Sequence, residues 1–272
     1  MIPLTIQSAI ASWVTIVLGT HGMSSVINMA CASSTTSVGI CYESILNGKC
    51  DMAVCGGTSY IGDRNLTMFK GFEYLKCSST NKEGNVYPFS KEKNGFLFSE
   101  GAACMLVIEE LEHALKRGAE IYAEITGFAC SSDAYNVVSM YPNGTIVENM
   151  LKKLVQGKKV DYYNAHGTAT ILNDEVEAKI IQNVFGDADS QPAINSSKAF
   201  LGHTLGASGA IELAVCADSI RRNKVHGNLC GTILENLNYT PETREMQVDC
   251  AVSSSLGFGG HNSAIMVERY RK

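Results

Sequence analysis

The chain has no excess of positive charge, no C-x-x-C pair, no Pro-rich linker and no low-complexity run. Each absence removes a class of function. A net charge of −5 excludes a chain that binds nucleic acid through its overall electrostatics. Without paired cysteines there is no zinc ribbon and no thioredoxin-type centre. The cysteines stand instead at 31, 41, 50, 55, 77, 104, 130, 216, 230 and 250, scattered through apolar segments. That is the pattern of small buried thiols in a reducing compartment. The opening stretch MIPLTIQSAIASWVTIVLG lacks a basic flank and is broken by Gln7 and several hydroxyl residues. It is read neither as a leader nor as a membrane span. The expectation is a cytoplasmic protein with no nucleic-acid or membrane partner.

What is present is an ordinary globular balance: 272 residues, 45% hydrophobic and 18% charged. Such a chain can bury a sizeable core, as one large domain or two small ones. Strand and helix patterns alternate along it. Helices are expected over 3–19, 33–47, "ELEHALKRG", "TIVENMLKKLVQG", "NDEVEAKIIQNVFG" and "SGAIELAVCADSIRRN". Buried strands are expected at "SSVINMA" (24–30), "CDMAVCGGTSY", "GAACMLVIEE", "EIYAEITGFACSS", "VDYYNAHGT", "PAINSSKA", "MQVDCAVSSSLGFGG" and "NSAIMVERY". Alternation of this kind predicts an α/β fold with covered sheets. "INMACASSTTSVGICYESI" and "INSSKAFLGHTLGASGAIELAVCADSI" echo one another. Both run from a strand, through a small-residue turn, into a helix with small residues on one face.

Four places could carry chemistry. Cys31 sits between a strand and a helix, where the helix's positive end lowers a thiol pKa, among small neighbours that leave room for an acyl group. On position alone a structural buried thiol is the commoner role. His166, in "YYNAHGTAT", follows a strand inside a turn; a satisfied histidine is again the commoner reading. His203 lies in "SSKAFLGHTLGASGAIE" between Lys198 and Glu212. A lysine at an apolar strand end needs a partner, and Glu212 on the next helix is available; a loop histidine beside a surface ion pair is the alternative. "SSSLGFGGHN" surrounds Phe258 with glycines, so backbone N–H groups can converge there as an oxyanion site requires, unless it is a plain hairpin turn. Together these supply a nucleophile, two imidazoles, a cation and a donor loop, the parts of an acyl-transfer site.

In these motifs the chain resembles the elongating β-ketoacyl-[acyl-carrier-protein] synthases of the type II, thiolase-like superfamily. The matching segments are "ACASS", "NAHGTAT", "SSKAFLGHTLGASGAIE" and "SSLGFGGHN", in that order. The resemblance implies a layered αβαβα fold of two similar halves, with residues 1–118 the remainder of the nucleophile half and 119–272 the second half. Biosynthetic thiolases place a second cysteine where "LGFGGHN" stands, and CoA-primed initiating synthases carry Asn at the position of His203. Chain-length-factor subunits lack the nucleophile that Cys31 supplies.

The implied reaction is decarboxylative condensation of an acyl-enzyme with malonyl-[acyl-carrier-protein] in fatty acid biosynthesis. Cys31 carries the acyl group. The backbone N–H groups of Cys31 and Phe258 hold the oxyanion, and Phe258 also acts as a gate. His166 and His203 stabilise the malonyl enolate, while Lys198 and Glu212 organise the site. Thr168 and Thr170 bind the pantetheine arm. No redox cofactor or catalytic metal is implied. The implied partners are an acyl carrier protein and a second copy of the chain in a homodimer. Roughly a third of the family's length, at the N-terminus, has no counterpart here, which leads to the expectation of a fragment, a truncated gene product or one piece of a split enzyme. Ser34, Asn94, Ser99, Leu256 and Tyr87 depart from the fatty-acid pattern; Ser34 and Leu256 leave open a polyketide or aryl-polyene ketosynthase, and the missing N-terminal portion leaves open a non-catalytic fragment or partner subunit that binds acyl carrier protein.

Overall fold

The computed structural model describes residues 6–62 and 65–271. Helix α1 (Ala9–Leu18) ends at Gly19, which has a left-handed φ of 64°. The expected start of that helix, residues 3–5, lies outside the described residues. Helix α2 (Ser33–Leu46) follows Cys31, and Gly48 (φ 64°) turns the chain out of it. An antiparallel pair comes next, β1 (Met52–Tyr60) with β2 (Gly101–Glu109), interrupted by α3 (Thr67–Tyr74). The short helix α4 (Leu111–Lys116) begins behind Glu110, whose carboxylate accepts the His113 N–H at 2.8 Å. The remainder is β3 (Glu124–Ser132), α5 (Thr145–Leu154), β4 (Tyr162–Asn164), α6 (Ile171–Phe185), β5 (Ala193–Asn195), α7 (Lys198–Leu201), α8 (Ser208–Arg222), the small pair β6 (Lys224–Val225) and β7 (Arg244–Glu245), and the hairpin β8 (Cys250–Gly257) and β9 (His261–Glu268).

The core is a five-stranded sheet in the order β3-β9-β8-β4-β5. β8 and β9 pair antiparallel, as do β9 and β3, while β4 runs parallel to both β8 and β5. Successive side chains on a strand point to opposite faces. Tyr162 therefore joins Leu213, Cys216 and Ile220 of α8 and Val38 of α2 on one face. Tyr163 joins Leu151 of α5 and Ile180 and Ile181 of α6 on the other. Because both faces are covered, β8 and β9 are buried along almost their whole length. This is why they read as continuous runs of small and apolar residues.

Small residues set the closest approaches. A methyl added at Gly209 of α8 would fall inside the contact radius of Thr35 Oγ1 on α2, and one at Gly39 would enter the Phe128 ring. Gly209→Ala is therefore expected to overpack the α2–α8 contact and destabilise the chain by about 1–3 kcal/mol. The midpoint of urea unfolding reads this directly; an unchanged midpoint would mean the two helices have room to separate.

Three expectations change. Residues 24–30 form no strand: only an isolated bridge links Met29 and Cys31. The Met23 and Val26 neighbourhood is exposed rather than buried. Apolar content alone does not make a strand when no neighbouring ladder takes up its N–H and C=O groups. The pair β1–β2 is also not buried on both faces, since Met105 and Val107 face outward. Finally, α3 was not foreseen, because Gly71 weakens its helical pattern; its Phe69 and Phe72 are fixed by aromatic packing on Phe98 and Phe96.

Candidate active site

Cys31 sits on a tight turn just before α2. Ala30 is held at φ 49°, a left-handed conformation uncommon for a residue with a side chain. Ser33 staples the turn: its Oγ accepts the Met29 N–H at 2.9 Å and donates to the Ala30 carbonyl at 2.7 Å. The end of β8 comes close beneath it. A Cβ on Gly257 would lie 2.9 Å from the Met29 carbonyl oxygen and 3.2 Å from the Cys31 nitrogen, so only glycine fits. That approach brings the Phe258 N–H to the Cys31 sulfur.

His203 reaches the same sulfur, with Nε2 3.1 Å from Sγ. Its Nδ1 accepts the Leu205 N–H at 3.2 Å and lies 3.1 Å from Ser208 Oγ. An Nδ1 that accepts leaves the proton on Nε2, so the ring presents an N–H to the pocket. The His166 ring stands edge-on to His203, with centroids 5.5 Å apart. The Cys31 Sγ and one ring nitrogen from each histidine lie within 4.8 Å of one another. Burial deprives both imidazoles of water and, with the Lys198 charge nearby, holds their pKa values well below the usual histidine range. Both are neutral hydrogen-bonding groups at neutral pH.

Lys198 and Glu212 are each 2% exposed and pair at 2.5 Å. Lys198 opens α7 and Glu212 lies one turn into α8, so the pair ties the His203 loop at both ends. Thr168 and Thr170 face one another, with their hydroxyls 2.9 Å apart. Phe258 is partly buried, and its ring centroid lies 6.0 Å from that of Phe72. Of the residues named from the sequence, Cys31, His166 and His203 converge on one point, with the Phe258 N–H at the same sulfur.

The expected effect on the thiol is reversed. Burial pushes the Cys31 thiol up to about 11; Lys198 and the N–H groups of Phe258 and Cys31 pull it down but do not offset the lost water. The resting sulfur is therefore a thiol, and it is activated only as it attacks. Thiolate fraction rises tenfold per pH unit below the pKa. Alkylation of Cys31 by iodoacetamide should therefore climb through alkaline pH and level off near 11, as peptide mass spectrometry can follow; a plateau reached by pH 8 would contradict this environment.

Two kinds of residue escaped the sequence reading. Asp174 and Glu177 are buried carboxylates on the first turns of α6. Glu177 accepts the N–H groups of His166 and Gly167, each at 2.8 Å, and Asp174 accepts those of Phe89 at 2.6 Å and Ala169 at 3.1 Å. They fix the turn that carries His166. Burial raises both carboxyls, Asp174 to about 7. The available signal was their i, i+3 spacing on a helix face otherwise apolar at Ile180 and Ile181. The second kind is the aromatic wall. Phe96 packs edge-on against His203 at 5.0 Å and contacts Phe98 at 4.8 Å, and nothing local in "KNGFLFSEG" marks it.

Comparison with known proteins follows the same lines. The family model for the beta-ketoacyl synthase N-terminal domain matches residues 1–114, and that for the C-terminal domain matches residues 122–231. A 3-oxoacyl-[acyl-carrier-protein] synthase 2 of Staphylococcus aureus is 35% identical over 280 residues, covering 99% of this chain and 67% of the relative. A protein of the same description from Synechocystis sp. is 33% identical, covering 100% and 67%. The chain thus spans about two thirds of the length of these relatives. Among solved structures, a beta-ketoacyl synthase from Burkholderia phymatum superposes with a TM-score of 0.87 at 31% identity, covering 97% of this chain and 66% of that one. A type II PKS ketosynthase in complex with its acyl-carrier protein superposes with a TM-score of 0.90 at 29% identity, covering 97% and 67%.

Proposed function

The chain belongs to the beta-ketoacyl synthase family, and on that premise we propose that it condenses an acyl group held on Cys31 with malonyl-[acyl-carrier-protein], giving a 3-oxoacyl-[acyl-carrier-protein]. The observation that carries the reading is the convergence of one sulfur and two imidazoles within 4.8 Å, beside the Phe258 N–H.

The proposed steps use these groups in turn. The Cys31 sulfur attacks the acyl thioester of a carrier protein; the new thioester forms and the carrier's thiol leaves with the proton. The tetrahedral oxyanion lies against the N–H groups of Cys31 and Phe258, donors that need no rearrangement as charge develops. Malonyl-carrier protein then enters. The neutral imidazoles of His203 and His166 donate hydrogen bonds to its thioester oxygen, and carbon dioxide leaves as the enolate forms. The enolate carbon attacks the Cys31 thioester, and Cys31 departs and recovers a proton. A neutral imidazole suits this role, since it donates to an oxyanion without competing for a proton.

Several supports belong to the same proposal. Lys198 and Glu212 position the His203 loop; Thr168 and Thr170 meet the pantetheine arm; Phe258, against Phe72, acts as the gate. Residues 1–118 form the nucleophile half and 119–272 the second half. The chain acts with an acyl carrier protein and as a homodimer. Its accessible surface of 14011 Å² exceeds the about 11,500 Å² that scaling gives for a compact monomer of this mass, which favours burial against another chain. Among the described residues no helix is long and apolar enough to cross a membrane.

His166→Ala and His203→Ala test the division of labour. Each is expected to lower malonyl decarboxylation by about 10²–10³-fold, the usual effect of removing one donor to a developing oxyanion. Release of labelled carbon dioxide from malonyl-carrier protein measures it. Full activity in either folded variant would remove that imidazole from the reaction.

A further inference from the structure

The three side chains that converge on the pocket also form a donor set for a divalent transition-metal ion. We propose that Cys31, His166 and His203 bind one Zn²⁺ reversibly, and that the bound ion masks the nucleophile. Cys31 Sγ and a ring nitrogen of each histidine all lie within 4.8 Å of one another, and all three residues are buried. Tetrahedral zinc with sulfur at about 2.3 Å and nitrogen at about 2.0 Å separates its donors by roughly 3.3–3.6 Å. Sγ and His203 Nε2 are already 3.1 Å apart. The remaining movement is a side-chain adjustment, and the fourth position would be taken by water.

A second observation points to the same place. His166 Nδ1 is buried and has no hydrogen-bond partner. A buried imidazole with an unpartnered nitrogen is not tied down by that atom, so the ring can turn to offer a nitrogen to a metal without breaking a hydrogen bond there. His203 must change tautomer. Its Nδ1 then donates to Ser208 Oγ, 3.1 Å away, while the Leu205 N–H loses its acceptor. The Cys31 thiol gives its proton to solvent as the Zn–S bond forms. Zinc thiolate carries net positive charge beside Lys198, whose own charge is paired with Glu212. One lost hydrogen bond and one neighbouring cation make the site weaker than a permanent structural one.

The inference rests on the three side chains rather than on the proposed reaction, and its test does not use turnover. Wild-type chain freed of metal by chelator is titrated with Zn²⁺ by calorimetry and, separately, with Co²⁺ by absorption. One equivalent is expected to bind, and Co²⁺ is expected to give a thiolate charge-transfer band with intense tetrahedral bands. Saturating Zn²⁺ is expected to slow alkylation of Cys31 at least tenfold while exposed Cys130 labels unchanged, with EDTA restoring the rate. Cys31→Ser is expected to abolish the charge-transfer band, and His203→Ala to weaken binding at least tenfold. A band that survives Cys31→Ser, or Cys31 alkylation unchanged in wild-type chain under saturating Zn²⁺, overturns the site; the second result is decisive even where a variant does not fold.

Discussion

Cys31→Ala is expected to lower condensation by on the order of 10³-fold or more while leaving malonyl decarboxylation within about tenfold of the parent chain. The two halves of the reaction use different atoms. In the proposed reaction the sulfur holds the acyl chain, whereas the imidazoles, each with a nitrogen within 4.8 Å of it, act on the malonyl unit. Removing Sγ takes away the His203 Nε2 contact at 3.1 Å, but the ring stays anchored through Nδ1 to Leu205 and Ser208 and edge-on against Phe96. Stability should change little, since a small thiol gives way to a small methyl beside Ala32 and Ser33. Parallel assays of 3-oxoacyl product and released carbon dioxide separate the steps. Equal loss of both in a folded variant would mean that the sulfur also serves the malonyl step.

Lys198→Met is expected to destabilise the chain by about 3–5 kcal/mol, because it strands Glu212 as an uncompensated buried charge. Glu212 is 2% exposed, and its Oε2 has no hydrogen-bond partner, so Lys198 is its main compensation. The pH dependence has a definite sign. Burial raises the Glu212 carboxyl above its usual range, and Lys198 pulls it back. A carboxyl whose folded pKa exceeds its unfolded one stabilises the fold least when ionised, so stability falls as pH rises through that window. Removing Lys198 widens the window. The deficit of Lys198→Met should therefore be larger at pH 7 than at pH 5, and pairing it with Glu212→Leu should restore part of the loss. Urea unfolding at both pH values checks this; a deficit independent of pH would point to lost packing rather than stranded charge.

The sequence made the chemistry legible because chemistry needs particular atoms. A cysteine after an apolar run, two histidines in glycine-rich turns and a lysine with a glutamate one helix later stand out by type and spacing. The helices α2, α5, α6 and α8 were legible for a similar reason, since glycines at 48, 157 and 186 and Asn223 mark their ends. What the sequence could not give was anything set by distant neighbours. Residues 24–30 carry a strand's composition but meet no ladder. The thiol pKa depends on how completely water is excluded, and burial outweighs the helix end that local reading had favoured. Asp174 and Glu177 look like surface helix charges until Phe89, Ala169, His166 and Gly167 are seen to turn their N–H groups toward them. Phe96, Phe98, Phe72 and Phe258 become one wall only when α3, the end of β8 and the segment before β2 meet.

The central claim is that Cys31 alone carries the acyl chain. Incubating the folded chain with a labelled acyl-[acyl-carrier-protein], stopping in acid and mapping the label by peptide mass spectrometry tests it most directly. One acyl group per chain is expected, on the peptide containing Cys31, released by neutral hydroxylamine and absent from Cys31→Ala. Label on any of the other nine cysteines, or none on folded chain that still forms product, would contradict it.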